Sequence, residues 1–218
     1  MSRIVVIGGT GYAGSAIVAE VAARGHEATA FSRSAPAAPV PGVHYVHGDA
    51  TDEAALSSVI TGADVVVAAL SPPSSFRDVY RTIARLADAE GARLYIVGGF
   101  SSLRPAAGAP RFVENLSHAP TERAARSAEF HEEIRSGAAI IIEDLPATPE
   151  TLDWVYVSPA GAFGSFAPGE RLGRYRTGGE VAVAPADGGT ISGADYALGF
   201  VDLIEKGDQH RAHVNLAY

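Results

Sequence analysis

Residues 4–14 read Ile-Val-Val-Ile-Gly-Gly-Thr-Gly-Tyr-Ala-Gly, and this stretch decides the fold. A short apolar run meets a glycine-rich turn, and an alanine-rich helical pattern follows directly. Gly8 allows a tight turn, Gly11 allows the backbone to approach a pyrophosphate, and Gly14 allows a helix to pack closely on a strand. The N-terminus of that helix offers free N–H groups and a partial positive charge to an anion. The stretch predicts a nucleotide-binding turn, with a plain strand-to-helix turn as the alternative.

Length and composition narrow the classes of protein to be considered. A chain of 218 residues is expected to form one domain, or one domain with a small appendage, and to bury roughly 70–75% of its unfolded surface. It has no cysteines, which excludes thiolate catalysis and thiolate metal sites, and its net charge of −8 argues against nucleic acid as the main partner. Neither a signal-peptide pattern nor a run long enough to span a bilayer is found, so a cytoplasmic protein is expected.

Strand and helix patterns alternate along the chain. Predicted strands occupy residues 3–7, 26–31, 43–47, 63–70, 93–97 and 152–157. Predicted helices occupy 12–24, a short segment through 60 that Thr51 or Asp52 caps, 76–90, 121–145 and 193–206. This order predicts an α/β fold with a Rossmann-like doubly wound parallel sheet, which binds ligands beyond the carboxyl ends of its strands.

The C-terminal part of the chain has a different composition. Residues 158–190 are dense in glycine, proline, arginine and aromatic side chains, with a predicted short strand at 181–184. Together with 207–218, where another short strand is predicted at 213–217, they are expected to form a small C-terminal lobe on the substrate side of the single domain 1–218. Residues 139–142 are predicted to be helical, with a strand as the alternative.

The end of the second strand indicates which nucleotide is bound. NAD sites usually carry an acidic residue there for the ribose 2′-hydroxyl, but residues 28–34 read Ala-Thr-Ala-Phe-Ser-Arg-Ser. Arg33 stands where a 2′-phosphate would lie, between the hydroxyls of Ser32 and Ser34, and its planar guanidinium suits a phosphate. The sequence therefore predicts NADP(H) in preference to NAD(H), with a solvated surface arginine as the alternative.

Residues that follow the other strands complete the predicted cofactor site. Asp49 can accept a hydrogen bond from an adenine amino group, or it can cap a helix. Small residues after the fourth strand allow close approach to a ribose, and 97–99 should border the nicotinamide. The predicted cofactor-binding residues are Gly8, Thr10, Gly11, Tyr12, Ala13, Gly14, Arg33, Ser34, Asp49, Ala50, Ala69, Leu70, Ser71, Val97, Gly98 and Gly99.

These motifs together resemble a known family. The glycine turn, Arg33 and the pair Gly48-Asp49 resemble the atypical short-chain dehydrogenase/reductase group with NAD(P)H-binding domains. Further stretches make the chain similar to the proposed NADH-flavin reductases, relatives of the biliverdin-IXβ reductase type. These stretches are residues 97–103, 152–160, 169–176, 191–192 and 195–197. The resemblance runs from end to end and implies the fold and the cofactor, whereas Phe100 and a longer segment at 136–151 depart from the usual pattern.

The position of the one lysine bears on the reaction. Ordinary short-chain dehydrogenases use a Tyr-x-x-x-Lys pair to pass a proton to a carbonyl oxygen. Lys206 is the only lysine, and Asp202 stands four residues before it, so this pair is absent. Hydride transfer to a flavin demands less, because a conjugated ring can stack on nicotinamide and its reduced anion can take a proton from water. The leading hypothesis is an NADPH-dependent oxidoreductase with a flavin as candidate substrate.

The substrate side is less determined, and the catalytic residues are left unassigned. Candidates are Ser101 and Ser102, which could equally form a strand-end turn, and His118 in the irregular stretch after the fifth strand. Three arginines at 171, 174 and 176 either meet an anionic substrate or are solvated. No metal is expected, because the histidines lack metal-binding spacing.

Two other functions stay open. One is a redox sensor that holds NADP(H) without turnover, as the NmrA-like regulators do, and the other is a sugar-nucleotide epimerase or dehydratase. The expected partner is a small-molecule substrate, with neither nucleic acid nor a membrane, and a homodimer is left open.

Overall fold

The computed structural model of the protein describes residues 1–118, 128–183 and 189–218. The described strands are β1 (Arg3–Ile7), β2 (Glu27–Ser32), β3 (His44–His47), β4 (Val65–Ala68), β5 (Arg93–Val97), β6 (Trp154–Ser158), β7 (Arg176–Gly178) and β8 (Ala212–Ala217). The described α-helices are α1 (Tyr12–Ala23), α2 (Glu53–Ile60), α3 (Pro73–Glu90), α4 (Ala128–Ala139) and α5 (Gly193–Lys206). Two 3-10 turns (Phe100–Ser102 and Phe112–His118) and a π-helical turn (Ile140–Asp144) complete the set.

All of these strands belong to one sheet, in the order β3-β2-β1-β4-β5-β6-β8-β7. Every neighbouring pair is parallel except β7 with β8. The chain moves outward from β1 to β3 and then crosses to β4 on the other side of β1. The boundary between β1 and β4 is therefore the switch point of a doubly wound sheet, as the sequence predicts.

The sheet is buried on both faces, because its central strands are continuous apolar runs. In β1, Ile4 and Val6 pack toward α1 and α5, whereas Val5 and Ile7 pack toward α2 and α3. This alternation follows from the two-residue period of a strand. It holds the carboxyl ends of β1, β4 and β5 in a fixed row, and that row carries the site described below.

The helical stretch predicted for residues 121–145 is only partly as expected. Residues 121–127 lie outside the described residues, and 128–139 form α4. The π-helical turn follows without a break, so 139–142 are not a strand. Two carboxylates of that turn anchor it on α3, since Arg77 bonds both Asp144 (2.8 Å) and Glu143 (2.5 Å). α3 itself begins at Pro73, three residues before the predicted start.

The C-terminal segments also differ from the predicted arrangement. The strand predicted at 181–184 is wrong for the residues described there, because Val181 makes only an isolated bridge, with Arg104. The Val183 N–H donates to the side chain of Asn215 at 2.9 Å instead of entering a ladder. The strand in this region is β7, which pairs with β8. Residues 207–218 supply β8 to the main sheet, between β6 and β7, rather than to a separate lobe.

Candidate functional site

A cavity of about 450 Å³ opens at the carboxyl ends of β1, β2, β4 and β5. All of the predicted cofactor-binding residues line it except Gly14 and Asp49. A wall that the sequence did not reveal lies opposite, formed by one face of α4. The site therefore has a nucleotide side, built by the strand ends, and a second side built by a helix.

The glycine turn is shaped by contacts that leave no room for side chains. Gly8 has a φ of +86°, and a Cβ there would lie 2.4 Å from the carbonyl oxygen of Ala69. A Cβ on Gly14 would lie 2.2 Å from the Gly8 carbonyl oxygen, so Gly14 lets α1 pack on the turn and does not line the cavity. A Cβ on Gly11 would meet only the Gly8 oxygen, at 3.4 Å, so a larger side chain there fits the backbone but extends into the cavity.

The first turn of α1 is ready for an anion. Its N-cap is Gly11, which has no side chain to bond the free N–H groups, and its first turn holds no acidic residue. The unpaired N–H groups and the helix dipole favour a negative charge at this end. Together with the narrow glycine turn, this arrangement fits a dinucleotide pyrophosphate.

Arg33 lies at the other end of the nucleotide side. It is exposed, lines the cavity, and its guanidinium carbon lies 5.9 Å from the ring centre of Phe76. The neighbouring Ser32 hydroxyl accepts from Thr10 at 2.9 Å and donates to the Ser34 carbonyl at 2.6 Å. The Ser32 hydroxyl therefore has no proton left to donate to a ligand. At this end of the cavity, Arg33 offers N–H donors that carry a positive charge.

Asp49 lies outside the cavity. It accepts hydrogen bonds from the Thr51 N–H and the Thr51 hydroxyl, both at 2.9 Å, and these bonds lower the pKa of its carboxyl. The cap of α2 is Asp52, which accepts from the N–H groups of Ala54 and Ala55 at 3.0 and 3.2 Å. Of the two caps predicted for this helix, Asp52 is confirmed. Asp49 stabilises the turn that precedes α2, and the charge of the cavity-lining Arg33 also contributes to its lowered pKa.

Tyr156 lies beneath the end of β5 and was missed in the sequence. Its ring fills the space where Gly98 has no side chain, since a Cβ on Gly98 would lie 2.1 Å from a ring carbon. Its hydroxyl donates to the Gly137 carbonyl of α4 at 3.0 Å and accepts from the Gly99 N–H at 3.3 Å. Because its one proton goes to Gly137, the Ser102 hydroxyl at 3.3 Å must donate to it. Burial raises the pKa of Tyr156, so it stays protonated.

The pair of Ser158, which is buried, and His213, which is partly buried, fixes the backbone of Gly99 from behind. Ser158 Oγ donates to the Gly99 carbonyl at 2.9 Å, so it must accept from His213 Nε2 at 2.8 Å. His213 Nδ1 is then the acceptor that faces Arg111 Nη1 at 3.4 Å. Burial and the charge of Arg111 lower the pKa of His213 to about 3. The pair resembles a nucleophile and base in composition only, because the serine proton points to a carbonyl and His213 Nε2 holds a proton.

The second side of the cavity is one face of α4. Phe130, Ile134, Gly137 and Ala138 line it at helical spacing, and Glu133 is the one carboxylate among the described lining residues. The predicted helical period already contained Phe130, Ile134 and Ala138, but periodicity alone does not tell a cavity wall from a core face.

Of the remaining candidates for the substrate side, the two serines line the cavity and the three arginines do not. Ser101 and Ser102 both line the cavity; Ser101 is half-buried, whereas Ser102 is buried and bonded to Tyr156. His118 ends the second 3-10 turn, and its side chain lies outside the described residues. The exposed arginines at 171, 174 and 176 do not line the cavity.

The described part of the chain shows neither a metal-binding cluster nor a membrane-spanning helix. Within residues 1–118, 128–183 and 189–218, no group of histidine, aspartate and glutamate side chains is arranged to hold a metal ion. No helix in these ranges combines the length and apolar character needed to cross a membrane.

Comparisons with known proteins agree with this geometry. Residues 8–206 match the model of the NAD(P)H-binding family. The uncharacterized protein YwnB of Bacillus subtilis is 32% identical over an alignment of 221 positions, which covers 98% of this chain and 95% of that protein. The crystal structure of a proposed NADH-flavin reductase from Streptococcus pneumoniae is 28% identical, with a TM-score of 0.83 and coverage of 100% of this chain and 99% of that one. A proposed epimerase from Bacteroides thetaiotaomicron is also 28% identical, with a TM-score of 0.84 and coverage of 100% and 97%. The chain therefore belongs to the NAD(P)H-binding family.

Proposed function

We propose that the protein is an NADPH-dependent oxidoreductase that passes hydride to a flavin or a similar conjugated ring. The observation that carries the proposal is the continuity of the cavity, which joins the glycine turn to the apolar face of α4. A nucleotide on one side and a flat ring on the other would meet at the end of β5. The similarity to the Streptococcus pneumoniae protein supports the same function.

The nucleotide side would work through backbone and charge. Gly11 and the first turn of α1 would hold the pyrophosphate, Arg33 would hold the 2′-phosphate, and 97–99 would border the nicotinamide. Gly99 suits this role because a Cβ there would meet nothing within 4 Å, so its backbone faces open space. The bound nucleotide supplies the hydride.

The proton inventory of the cavity supports a ring acceptor. Tyr156 lines the cavity, but its proton is donated to the Gly137 carbonyl and its pKa is raised by burial. His213 lies behind this floor as a neutral ring. Neither group is matched to deliver a proton to a carbonyl oxygen near neutral pH. A conjugated ring tolerates this, since its reduced anion can take a proton from water.

The chain's own contribution would be to orient the two rings and to exclude water. Phe130, Ile134 and Ala138 present apolar surface to the acceptor. The bonds of Tyr156 to Gly137 and Gly99 tie this wall to the end of β5, so the spacing of the two sides is fixed by the fold. Fixed spacing is what a reaction between two stacked rings requires.

The test is an assay of NADPH oxidation with riboflavin, FMN, FAD and soluble quinones as acceptors. The reaction is monitored through the loss of the near-ultraviolet absorbance of NADPH. Turnover with a flavin and little turnover by Gly11→Val supports the proposal. The Ser15→Val variant, in which an exposed residue of α1 is changed outside the cavity, is the matched control. If calorimetry shows tight NADPH binding and every acceptor fails, the oxidoreductase proposal is overturned and a redox sensor is favoured.

A further inference from the structure

A second cavity lies on the far side of the nucleotide cavity's wall. Its volume is about 150 Å³, and it is enclosed by α3, the π-helical turn and the loop that precedes β6. Tyr80 and Ile140 line both cavities and separate them. The predicted cofactor-binding residues do not line the second cavity, so it is distinct from the site described above.

The floor of this cavity is apolar and its mouth is charged. Ala84, Ile96, Ile140, Leu145 and Leu152 are buried and line it. Arg81 and Arg85 also line it and are exposed, so a molecule can reach it from solvent. A cavity of about 150 Å³ lined by aliphatic side chains is large enough for a benzene-sized molecule.

Most of the polar groups that line the cavity are already bonded. The Tyr80 hydroxyl donates to the Leu70 carbonyl at 2.8 Å and accepts from the Leu70 N–H at 3.1 Å. The Thr148 hydroxyl donates to the Leu145 carbonyl at 2.6 Å. None of these side chains needs a ligand.

The two carboxylates that line the cavity, Asp144 and Asp88, differ in their hydrogen bonding. Both oxygens of Asp144 accept from arginines, with Arg77 at 2.8 and 2.9 Å and Arg81 at 2.8 Å. Asp88 Oδ1 is buried and has no hydrogen-bond partner among the described residues. A buried acceptor without a donor is costly and uncommon in folded proteins, so a water or a ligand that donates a hydrogen bond would be stabilised at this atom.

We propose that this cavity binds a small, uncharged and mainly apolar molecule with one hydrogen-bond donor, of the size and type of phenol. The aliphatic floor would hold the apolar body, and the donor would bond Asp88. An anion would meet the unpaired carboxylate, whereas a cation would have to pass the two arginines at the mouth. The proposal is independent of the chemistry at the nucleotide cavity.

The test uses phenol and benzene as probes, each titrated into the nucleotide-free protein and followed by ligand-observed NMR. Phenol should bind at least roughly tenfold more tightly than benzene, because a hydrogen bond to a charged group is worth about that factor or more. Asp88→Ala should reduce phenol to the affinity of benzene and leave benzene itself unchanged. Equal affinity of the two probes for the wild type would show that water satisfies Asp88 and would overturn the proposal.

A variant that fills the second cavity tests whether the probes bind there. Ala84→Met should abolish binding of both probes, because Ala84 is buried and lines the cavity. Ala89→Met is the matched control on the same helix, since Ala89 is exposed and outside the cavity. Circular dichroism verifies that both variants fold. Binding that survives Ala84→Met would place the probes elsewhere and refute the assignment, whichever result the NADPH oxidation assay gives.

Discussion

Nη1 of Arg111 lies 3.4 Å from Nδ1 of His213, so a guanidinium faces the ring nitrogen that would take a second proton. The other ring nitrogen is engaged with Ser158, which in turn bonds the Gly99 carbonyl. This arrangement fixes the tautomer of a partly buried histidine and keeps its ring neutral. It also links the end of β5 to β6 and β8. The charge state of His213 should therefore affect the free energy of unfolding.

The first prediction concerns that charge state. Burial and Arg111 lower the pKa of His213 from an ordinary 6.5 to about 3 in the folded protein. Between these values the unfolded state binds more protons, so the free energy of unfolding should fall as pH drops below about 6.5, by about 1 kcal/mol per pH unit. His213→Gln should make the fall shallower between about pH 6 and pH 5, because glutamine does not titrate. Denaturant unfolding at several pH values measures it.

The matched control for this prediction is His44→Gln, in which an exposed histidine of β3 is replaced. It should keep the wild-type dependence on pH. A slope for His213→Gln equal to that of the wild type would contradict the proposed cause.

The second prediction concerns Gly11. Gly11→Val should abolish nucleotide binding while the protein stays folded, because a Cβ there meets only one atom, at 3.4 Å, and the rest of the side chain enters the cavity. Gly14→Val should instead lower the melting temperature, since its Cβ would lie 2.2 Å from the Gly8 carbonyl oxygen. Calorimetric titration of NADPH and thermal unfolding of both variants distinguish the two effects. Unchanged NADPH affinity in Gly11→Val would exclude the proposed pyrophosphate site.

The third prediction concerns Arg33. One charge-assisted bond to the 2′-phosphate is worth roughly 10- to 150-fold in affinity, so the wild type should bind NADPH more tightly than NADH. Arg33→Asp should reverse that order, because it removes the cation and supplies an acceptor for the ribose hydroxyl. Added salt should weaken NADPH binding more than NADH binding, since Arg33 is exposed.

Arg174→Asp makes the same change of charge at an exposed position outside the cavity and should leave the preference for NADPH intact. Calorimetric titration gives the affinities of the wild type, Arg33→Asp and Arg174→Asp for NADPH and for NADH. Equal wild-type affinities for the two nucleotides, or an unchanged order in Arg33→Asp, would mean that Arg33 does not select the cofactor.

The fourth prediction concerns Tyr156. Its pKa is raised by burial and its proton is bonded to Gly137, so the kcat of NADPH oxidation should not vary between about pH 6 and pH 9 through this residue. Tyr156→Phe should destabilise the protein by about 1–3 kcal/mol, since the Gly137 carbonyl loses its donor, and should lower kcat by less than about tenfold. Tyr45→Phe, outside the cavity, is the control for loss of a hydroxyl. A far larger loss of kcat in Tyr156→Phe would identify Tyr156 as a proton donor.

Much of the fold could be predicted because its signals are local. A strand followed by the glycine turn identifies the first crossover, and alternating apolar runs give the parallel sheet. The residues of the nucleotide side follow each strand directly, so the rule that ligands bind beyond the strand ends was enough to select them. Their contacts with the nucleotide stay a prediction.

The rest of the site depends on which strands become neighbours. Tyr156 stands within an apolar strand that reads as core, and only its position opposite Ile96 brings its ring beneath Gly98. The π-helical turn has no local signature, since its anchors are arginines of α3. The strand predicted at 181–184 fails for a similar reason, because β-propensity cannot show that β8 pairs with β7 instead.

The position of β8 has a consequence for synthesis. β7 precedes β8 in the chain, yet its one ladder among the described strands is with β8. A ribosome releases residues 176–178 before the strand that bonds them has been made, and α5 must also emerge in between. Each of the strands β2 to β6 pairs with a strand that is made before it, whereas this edge of the sheet can close only after residue 217 is free.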